Sequence, residues 1–379
     1  MKFYRGLVVS GAIIGWGNLF GQTSPPSQVA TAVAAVVNGV TVVVATPRVP
    51  SNARITNLST RARVTGENPL MTGFAIRGDA PRTVLVRAAG PALGAFGVAN
   101  TLAAPQLRLH AADGSVILEN AGWGGGQALT NTFARVGAFP FAADSADAAA
   151  VVTLAPGTYT VEIVAGSGGP GVALAEIYDV EGKAEGSRLV NVSTRSTVAS
   201  AGGELISGLV VAGTTSQQFL VRGIGPALTK FGVTGVLGDP VITIFNTGGT
   251  PIATNNNWGQ GGRLVAATTT GGVAVTTAMP IVAVAIPGVA VNISPGVVSV
   301  VASAAQAAAL AAQAAASAVA VEENLVTSAA ASVGAFGLDR GSADSAVVVT
   351  LAPGAYTVQI SGATSADTGA ALIEIYELP

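Results

Sequence analysis

The chain contains no cysteine. That absence excludes disulfides, thiol catalysis, iron–sulfur clusters and a bacterial lipoprotein anchor. Histidine is almost missing as well. His110 is the only one, so a nucleophilic triad would have a single base to draw on. Charged side chains make up 10% of the residues, against roughly 25% in ordinary globular proteins. The net charge of −2 gives no basic footprint for nucleic acid. Sparse charge also leaves little repulsion between molecules, which suits self-association or attachment to a surface. Aromatics are 5% while apolar residues are 50%. The interior must therefore be built largely from Ala, Val and other small or branched side chains, with Gly and Pro marking turns.

What the chain does have is an internal repeat. Ser145–Ile163 and Ser342–Ile360 agree at fifteen of nineteen positions. Further pairs recur in the same order: Asn57–Arg61 with Asn191–Arg195, and Leu85–Val98 with Leu220–Val233. Trp123-Gly124 matches Trp258-Gly259, and Ala175–Asp179 matches Ile373–Glu377. A length of 379 residues accommodates two copies of one module, and any function must be compatible with the duplication. Each copy is long enough to bury a core without disulfides.

The first copy spans about 52–182 and the second about 187–379. In the first, short apolar or alternating runs predict strands at Ala53–Leu58, Met71–Arg77, Thr83–Ala88, Gln106–His110, Ser115–Glu119, Ala149–Leu154, Gly157–Ala165 and Val172–Tyr178. Turn signals such as Asp113-Gly114 and Pro156-Gly157 separate them. In Gly157–Ala165, Tyr159, Val161 and Ile163 share one face while Thr158, Thr160 and Glu162 share the other, as in a half-buried strand. One helix is predicted, Gln127–Val136. The fold class is all-β: two tandem antiparallel β-sandwiches of jelly-roll or immunoglobulin-like type.

The second copy carries an insertion. Trp123 and Val136 are 13 positions apart, whereas Trp258 and Val333 are 75 apart. The extra sequence, about 264–325, has no charged residue from Leu264 to Val321. Its first part is rich in Val and broken by Pro280, Pro287 and Pro295, so it reads as extended segments. Ala302–Ala318 reads as helix on propensity. The proline spacing argues against a spanning helix. An uncharged hairpin plus helix of this kind either packs on its own module or docks on another subunit. Ahead of the first copy, residues 22–51 form a spacer in which Thr41–Ala45 could be a strand after a turn at Asn38-Gly39. Met1–Gly21 reads as a secretory signal peptide, with Lys2 and Arg5 before the apolar stretch Gly6–Phe20. That stretch is shorter than the roughly 20 residues of a spanning helix, so no membrane span is expected in the mature chain.

The motif set LVRxxGPAL…FGV, an Asn-rich stretch ending in Trp-Gly, APGxYTVxI and EIY resembles a repeated secreted module of exported and surface proteins of Verrucomicrobia-like and Planctomycetes-like bacteria. Leu107–Tyr178 is also similar to the bacterial pre-peptidase C-terminal β-sandwich, through its ADGSVIxEN hairpin, an Asp ahead of a strand, and the PGTYTVEI hairpin. These resemblances imply non-catalytic attachment modules. No catalytic domain is expected beside them in these residues.

Candidate chemistry is thin. His110 lies on a predicted strand, with Phe245 at the equivalent place in the second copy. Asp144 and Asp147, and Asp339 and Asp344, could serve as paired carboxylates. No metal is expected: Asp147 and Asp344, the weak candidates, read as Asx-type turns whose side chains accept backbone N–H groups. Arg87 with Glu176, and Arg222 with Glu374, are expected as semi-buried structural ion pairs. Gly90-Pro91 and Gly225-Pro226 lack the Lys and Ser/Thr of a phosphate loop and read as tight turns. Trp123 and Trp258, in loops with Asn120 and Asn257, are candidate sugar-binding residues, the alternative being Trp rings that plug the sandwich end. The functional expectation is an exported, non-enzymatic structural or adhesion protein of the cell surface or extracellular space. It would bind no cofactor and no nucleic acid. Its expected partners are copies of itself, other surface proteins or a polysaccharide, and the alternative role is carbohydrate binding through the Trp loops.

Overall fold

The computed structural model describes residues 31–37, 40–46, 52–182, 186–199, 204–259, 290–294, 297–301 and 322–379. The expected signal peptide and the expected helix Ala302–Ala318 lie outside them. Strands dominate, and all the named strand pairs are antiparallel. The fold is an all-β sandwich.

Two strands precede the first copy, β1 (Thr31–Val37) and β2 (Val40–Thr46). The first copy contributes β3 (Arg54–Val64), β4 (Leu70–Arg77), β5 (Arg82–Ala89), β6 (Pro105–Ala111), β7 (Val116–Asn120), β8 (Ala148–Leu154), β9 (Gly157–Ala165) and β10 (Gly171–Asp179). Helix α1 (Gln127–Val136) lies between β7 and β8. The second copy repeats the series as β11 (Arg188–Val198), β12 (Leu205–Ala212), β13 (Gln217–Ile224), β14 (Pro240–Asn246) and β15 (Pro251–Asn256). It resumes, after its insertion, with β18 (Ser345–Leu351), β19 (Gly354–Gly362) and β20 (Gly369–Glu377). The insertion contains β16 (Ala290–Ser294) and β17 (Val297–Val301). A helix over 322–333, α2, stands where α1 stands in the first copy.

Within each copy one sheet faces another: β3-β10-β5-β8 over β4-β9-β6-β7, and β11-β20-β13-β18 over β12-β19-β14-β15. The two sandwiches are fused edge to edge. β3 pairs with β10 of its own copy on one side and with β12 of the other copy on its second side. β11 likewise pairs with β20 and with β4. Each layer therefore runs unbroken through both copies, and the apolar side chains between the layers form one core that mixes the two, including Ile55, Leu58, Phe74, Val192, Leu209 and Phe219.

The fusion obeys an internal two-fold. Leu58 pairs with Leu209 as Val192 pairs with Phe74, and both ladders slip at the same place, beside Thr56 and Val190. On the axis, equivalent residues meet each other: Leu189 pairs with Ile55, and Thr60 Oγ1 lies 2.8 Å from Thr194 Oγ1. Gly73 and Gly208 hold equivalent positions in the two ladders. A Cβ on either would come within 2.5 Å of a serine Oγ, of Ser193 and Ser59 respectively, so these glycines let the edges close.

The same geometry makes each copy's inner edges complementary to a second copy of itself. Residues 52–182 expressed alone should dimerise through β3 and β4, and should form a 1:1 complex when co-expressed with residues 187–379. Light scattering coupled to size exclusion reads both outcomes, and a stable monomer of either half would contradict this account of the edges.

Candidate functional site

The repeated motifs converge on one structural knot per copy. In the first, the Asp147 carboxylate is fully buried and accepts hydrogen bonds from Gly90 N at 2.6 Å and Ala92 N at 3.2 Å. These donors open the 3-10 turn Pro91–Phe96. The Asp147 carbonyl accepts from Trp123 N at 2.8 Å. In the second copy Asp344 accepts from Gly225 N at 2.8 Å and Ala227 N at 3.2 Å, and its carbonyl from Trp258 N at 2.8 Å. Ser145 and Ser342 donate their hydroxyls to the same carboxylates. A Cβ on Gly90 would sit 2.1 Å from Leu102 O, and one on Gly225 2.1 Å from Leu237 O, which requires glycine before each proline. This use of the carboxylates corrects the metal reading of Asp147 and Asp344: backbone N–H groups occupy the lone pairs that a cation would need. No group of three or more His, Cys, Asp or Glu suited to a metal occurs among the described residues.

The tryptophan reading is corrected too. Trp123 and Trp258 are each 6% exposed, leaving no face for a sugar. Trp123 packs on Phe133 and Phe141 and donates Nε1–H to Ala142 O at 2.9 Å. Trp258 Nε1 lies 3.1 Å from Asp339 O and 3.2 Å from Ser342 Oγ. Each ring is buried between the outer face of a sheet and the helix that covers it, Trp123 with Leu85 and Phe133 and Trp258 with Leu220, Val326 and Val333. Asn120 also acts internally, accepting from Ala149 N at 3.0 Å. Its counterpart is Asn255, which accepts from Ala346 N at 3.0 Å, and not Asn257, which sits at φ 67° two residues later.

The ion pairs lie in the interior. Arg222 Nη2 is 2.9 Å from Glu374 Oε2, with both side chains fully buried. Arg87 Nε is 3.3 Å from Glu176 Oε2. Tyr178 donates to Glu176 Oε1 at 2.6 Å, and Tyr376 to Glu374 Oε1 at 2.8 Å. The Arg87 guanidinium lies 4.5, 4.4 and 3.9 Å from the ring centroids of Phe133, Phe139 and Phe141, and Arg222 lies 4.2 Å from that of Phe336. The Arg87 nitrogens have no hydrogen-bond partner, so its charge is compensated by Glu176 and the ring faces. Burial pushes Arg87 below its ordinary range, against the pull of Glu176, and pushes Glu176 up. Burial, with the neighbouring glutamate, also raises Tyr178 and Tyr376.

An open polar feature lies where the copies meet. A groove of about 1070 Å³ runs between the outer face of β6, β7 and β9 and the second copy's loop Gly232–Gly235, with Arg195 at the end of β11. On its floor Arg108 Nε is 3.0 Å from Glu119 Oε1, and Arg108 Nη1 is 3.7 Å from Glu162 Oε2. His110 Nε2 is 3.0 Å from the same Glu162 oxygen. Glu67 and Asp113 line it as well. His110 thus belongs to a charged cluster, where the sequence left it an isolated strand residue. Arg108, Glu119 and Glu162 drew no functional reading from the sequence. The available signal was their replacement by Thr243, Thr254 and Gln359 in the second copy.

No protein-family model matches this chain, and no curated protein matches it. Among solved structures it is similar to a DUF4785 family protein from Legionella pneumophila, at 13% identity and a TM-score of 0.18. The match covers 47% of this chain and 46% of that one, so it spans about half of each. A likeness this slight carries no argument.

Two stability predictions follow from the buried groups. Arg87→Met leaves Glu176 buried without its cation and should cost about 3–5 kcal/mol. The double change Arg87→Met with Glu176→Gln should recover part of that loss. Chemical denaturation measures both, and a wild-type midpoint for Arg87→Met would refute the pairing. Asp344→Ala strands two buried backbone donors and should cost about 3 kcal/mol. Unchanged stability in the same assay would show that the carboxylate does not hold the turn.

Proposed function

We infer that this protein is an exported, non-catalytic structural and adhesion protein of the cell surface or extracellular space, and that it associates with copies of itself. The observation that carries the reading is the state of its strand edges. β1 and β2 pair only with each other, as do β16 and β17, among the described residues. Both hairpins come from stretches with no charged side chain. A two-stranded ribbon has unpaired N–H and C=O groups along both edges, and without charge nothing guards them against another strand. The outermost strand β7 supplies a receptive edge: it pairs only with β6 among the described residues, and its Val116 and Ile117 are exposed. The second copy has Pro251 where the first has Val116, a substitution that blunts the corresponding edge. Addition of a strand to such an edge gives main-chain hydrogen bonds without needing complementary charge.

Export is supported by Lys2, Arg5 and the apolar stretch that follows them. Among the described residues no helix is long and apolar enough to cross a membrane. The non-catalytic reading is supported by the repeated polar residues, which are engaged in holding turns and sheets together.

The test is removal of the insertion. Residues 22–379 should elute as multimers in size exclusion with light scattering. Deleting Leu264–Ala318 should reduce them to monomers whose sandwiches keep the parent chain's melting temperature. Multimers that persist after the deletion, or a monomeric parent chain, would remove the reading.

A further inference from the structure

We propose that the groove between the two copies is a binding site for a neutral polyhydroxylated ligand, a stretch of oligosaccharide. The first argument is comparative and internal to the chain. The two copies build the same three-strand face, with β6 and β14 in equivalent registers against β9 and β19. On that shared backbone the first copy presents Arg108, His110, Asp113, Glu119 and Glu162, and the second presents Thr243, Phe245, Gly248, Thr254 and Gln359. The fold is therefore satisfied by uncharged residues at all five places. In a chain with only 10% charged residues, gathering this many ionisable groups on one dispensable face requires a cause other than folding.

The second argument concerns what such a face recognises. Its basic groups are already engaged: Arg108 lies between Glu119 and Glu162, and His110 against Glu162. An anionic ligand would have to break one of these pairs to form its own. A hydroxyl-bearing ligand would not. A guanidinium has five donors and a carboxylate about four lone-pair sites, so each paired group keeps capacity for the vicinal hydroxyls of a sugar, and the pairing holds it in orientation. Pro69, Met71, Val116 and Val233 on the lining supply apolar surface for the C–H faces of the rings. A volume of about 1070 Å³ is at the upper end of small-ligand pockets and accommodates several sugar units. This site shares no residue with the buried tryptophan loops. It goes beyond the assembly reading and does not require it, because a monomer contains the whole groove.

The experiment is affinity electrophoresis of the full chain through gels containing dextran, mixed-linkage β-glucan, mannan or xylan, with alginate and chitosan as charged comparisons. At least one neutral polymer should retard the protein, and about 0.5 M NaCl should leave that retardation in place, since matched short-range hydrogen bonds are weakly screened. The variant R108T/H110F/E119T/E162Q installs the residues that the second copy carries on the equivalent backbone. It should bind the retarding polymer at least tenfold more weakly while keeping its melting temperature and its oligomeric state. If the fourfold change unfolds the protein, R108T/E119T takes its place with the same expected loss. The proposal is overturned by free migration through all four neutral gels, by retention confined to the charged polymers and abolished by salt, or by retention that the substitutions leave unaltered. A monomeric parent chain that the glycan still retards would count against the assembly reading alone.

Discussion

The structure depends on the meeting of β3 and β11 at its centre. Each is the first strand of its copy, and each must serve two partners at once. Thr60 and Thr194 sit together on the internal axis, flanked by Ser207 3.4 Å from the first and Thr72 3.4 Å from the second. Four hydroxyls buried in an otherwise apolar seam satisfy one another, and each would be costly if its neighbour were removed. The small side chains around them, Gly73, Gly208, Ser59 and Ser193, let the strand edges approach. An edge strand left open is a hazard for a β-protein. Here the two long inner edges of each copy are closed by the other copy, so duplication and edge protection are one solution.

That constraint explains which parts of the repeat stayed alike. The Asp of each SAD motif joins the Trp loop to the Gly-Pro turn through its carbonyl and carboxylate. The Arg of each LVR motif and the Glu and Tyr of each EIY motif meet behind it. Tyr159 and Tyr356 close their hairpins by donating to Ala155 O at 2.7 Å and Ala352 O at 2.8 Å. Residues far apart in the chain recur as a set because each is a partner of another member. A change in one strands a buried donor, acceptor or charge on the next.

Much of this could be read from residues alone. α1 and β9 have the predicted ends because period-3.6 and period-2 patterns are local, and so are the glycine and proline signals that bound them. The Arg–Glu pairing followed from two charged positions that recur on apolar strands. The fusion of the sandwiches was not legible. Nothing in β3 or β12 taken singly says that their edges match, and Gly73 and Gly208 read as ordinary strand glycines until the opposing serines are placed. The Trp loops misled for a related reason. Gly and Asn around a Trp signal an irregular backbone, and only the folded chain shows which way the ring turns.

Identity between the copies therefore marks the residues that hold the fold, and function must be sought where they differ. Two differences bear on chemistry. One is the uncharged insertion, present once, which adds strand edges to a molecule that elsewhere closes its long inner ones. The other is the face of β6, β7 and β9, charged in the first copy and neutral in the second. In a single-copy protein, Arg108, Glu119 and Glu162 would pass for a surface ion-pair network of small energetic weight. Here the second copy acts as an internal control: it keeps the same registers without those charges. The charges are thus not explained by strand pairing, and their position at the junction puts them against a wall that one copy alone does not possess. A site made this way exists only where two copies meet, so the pairing that closes the inner strand edges also forms the groove.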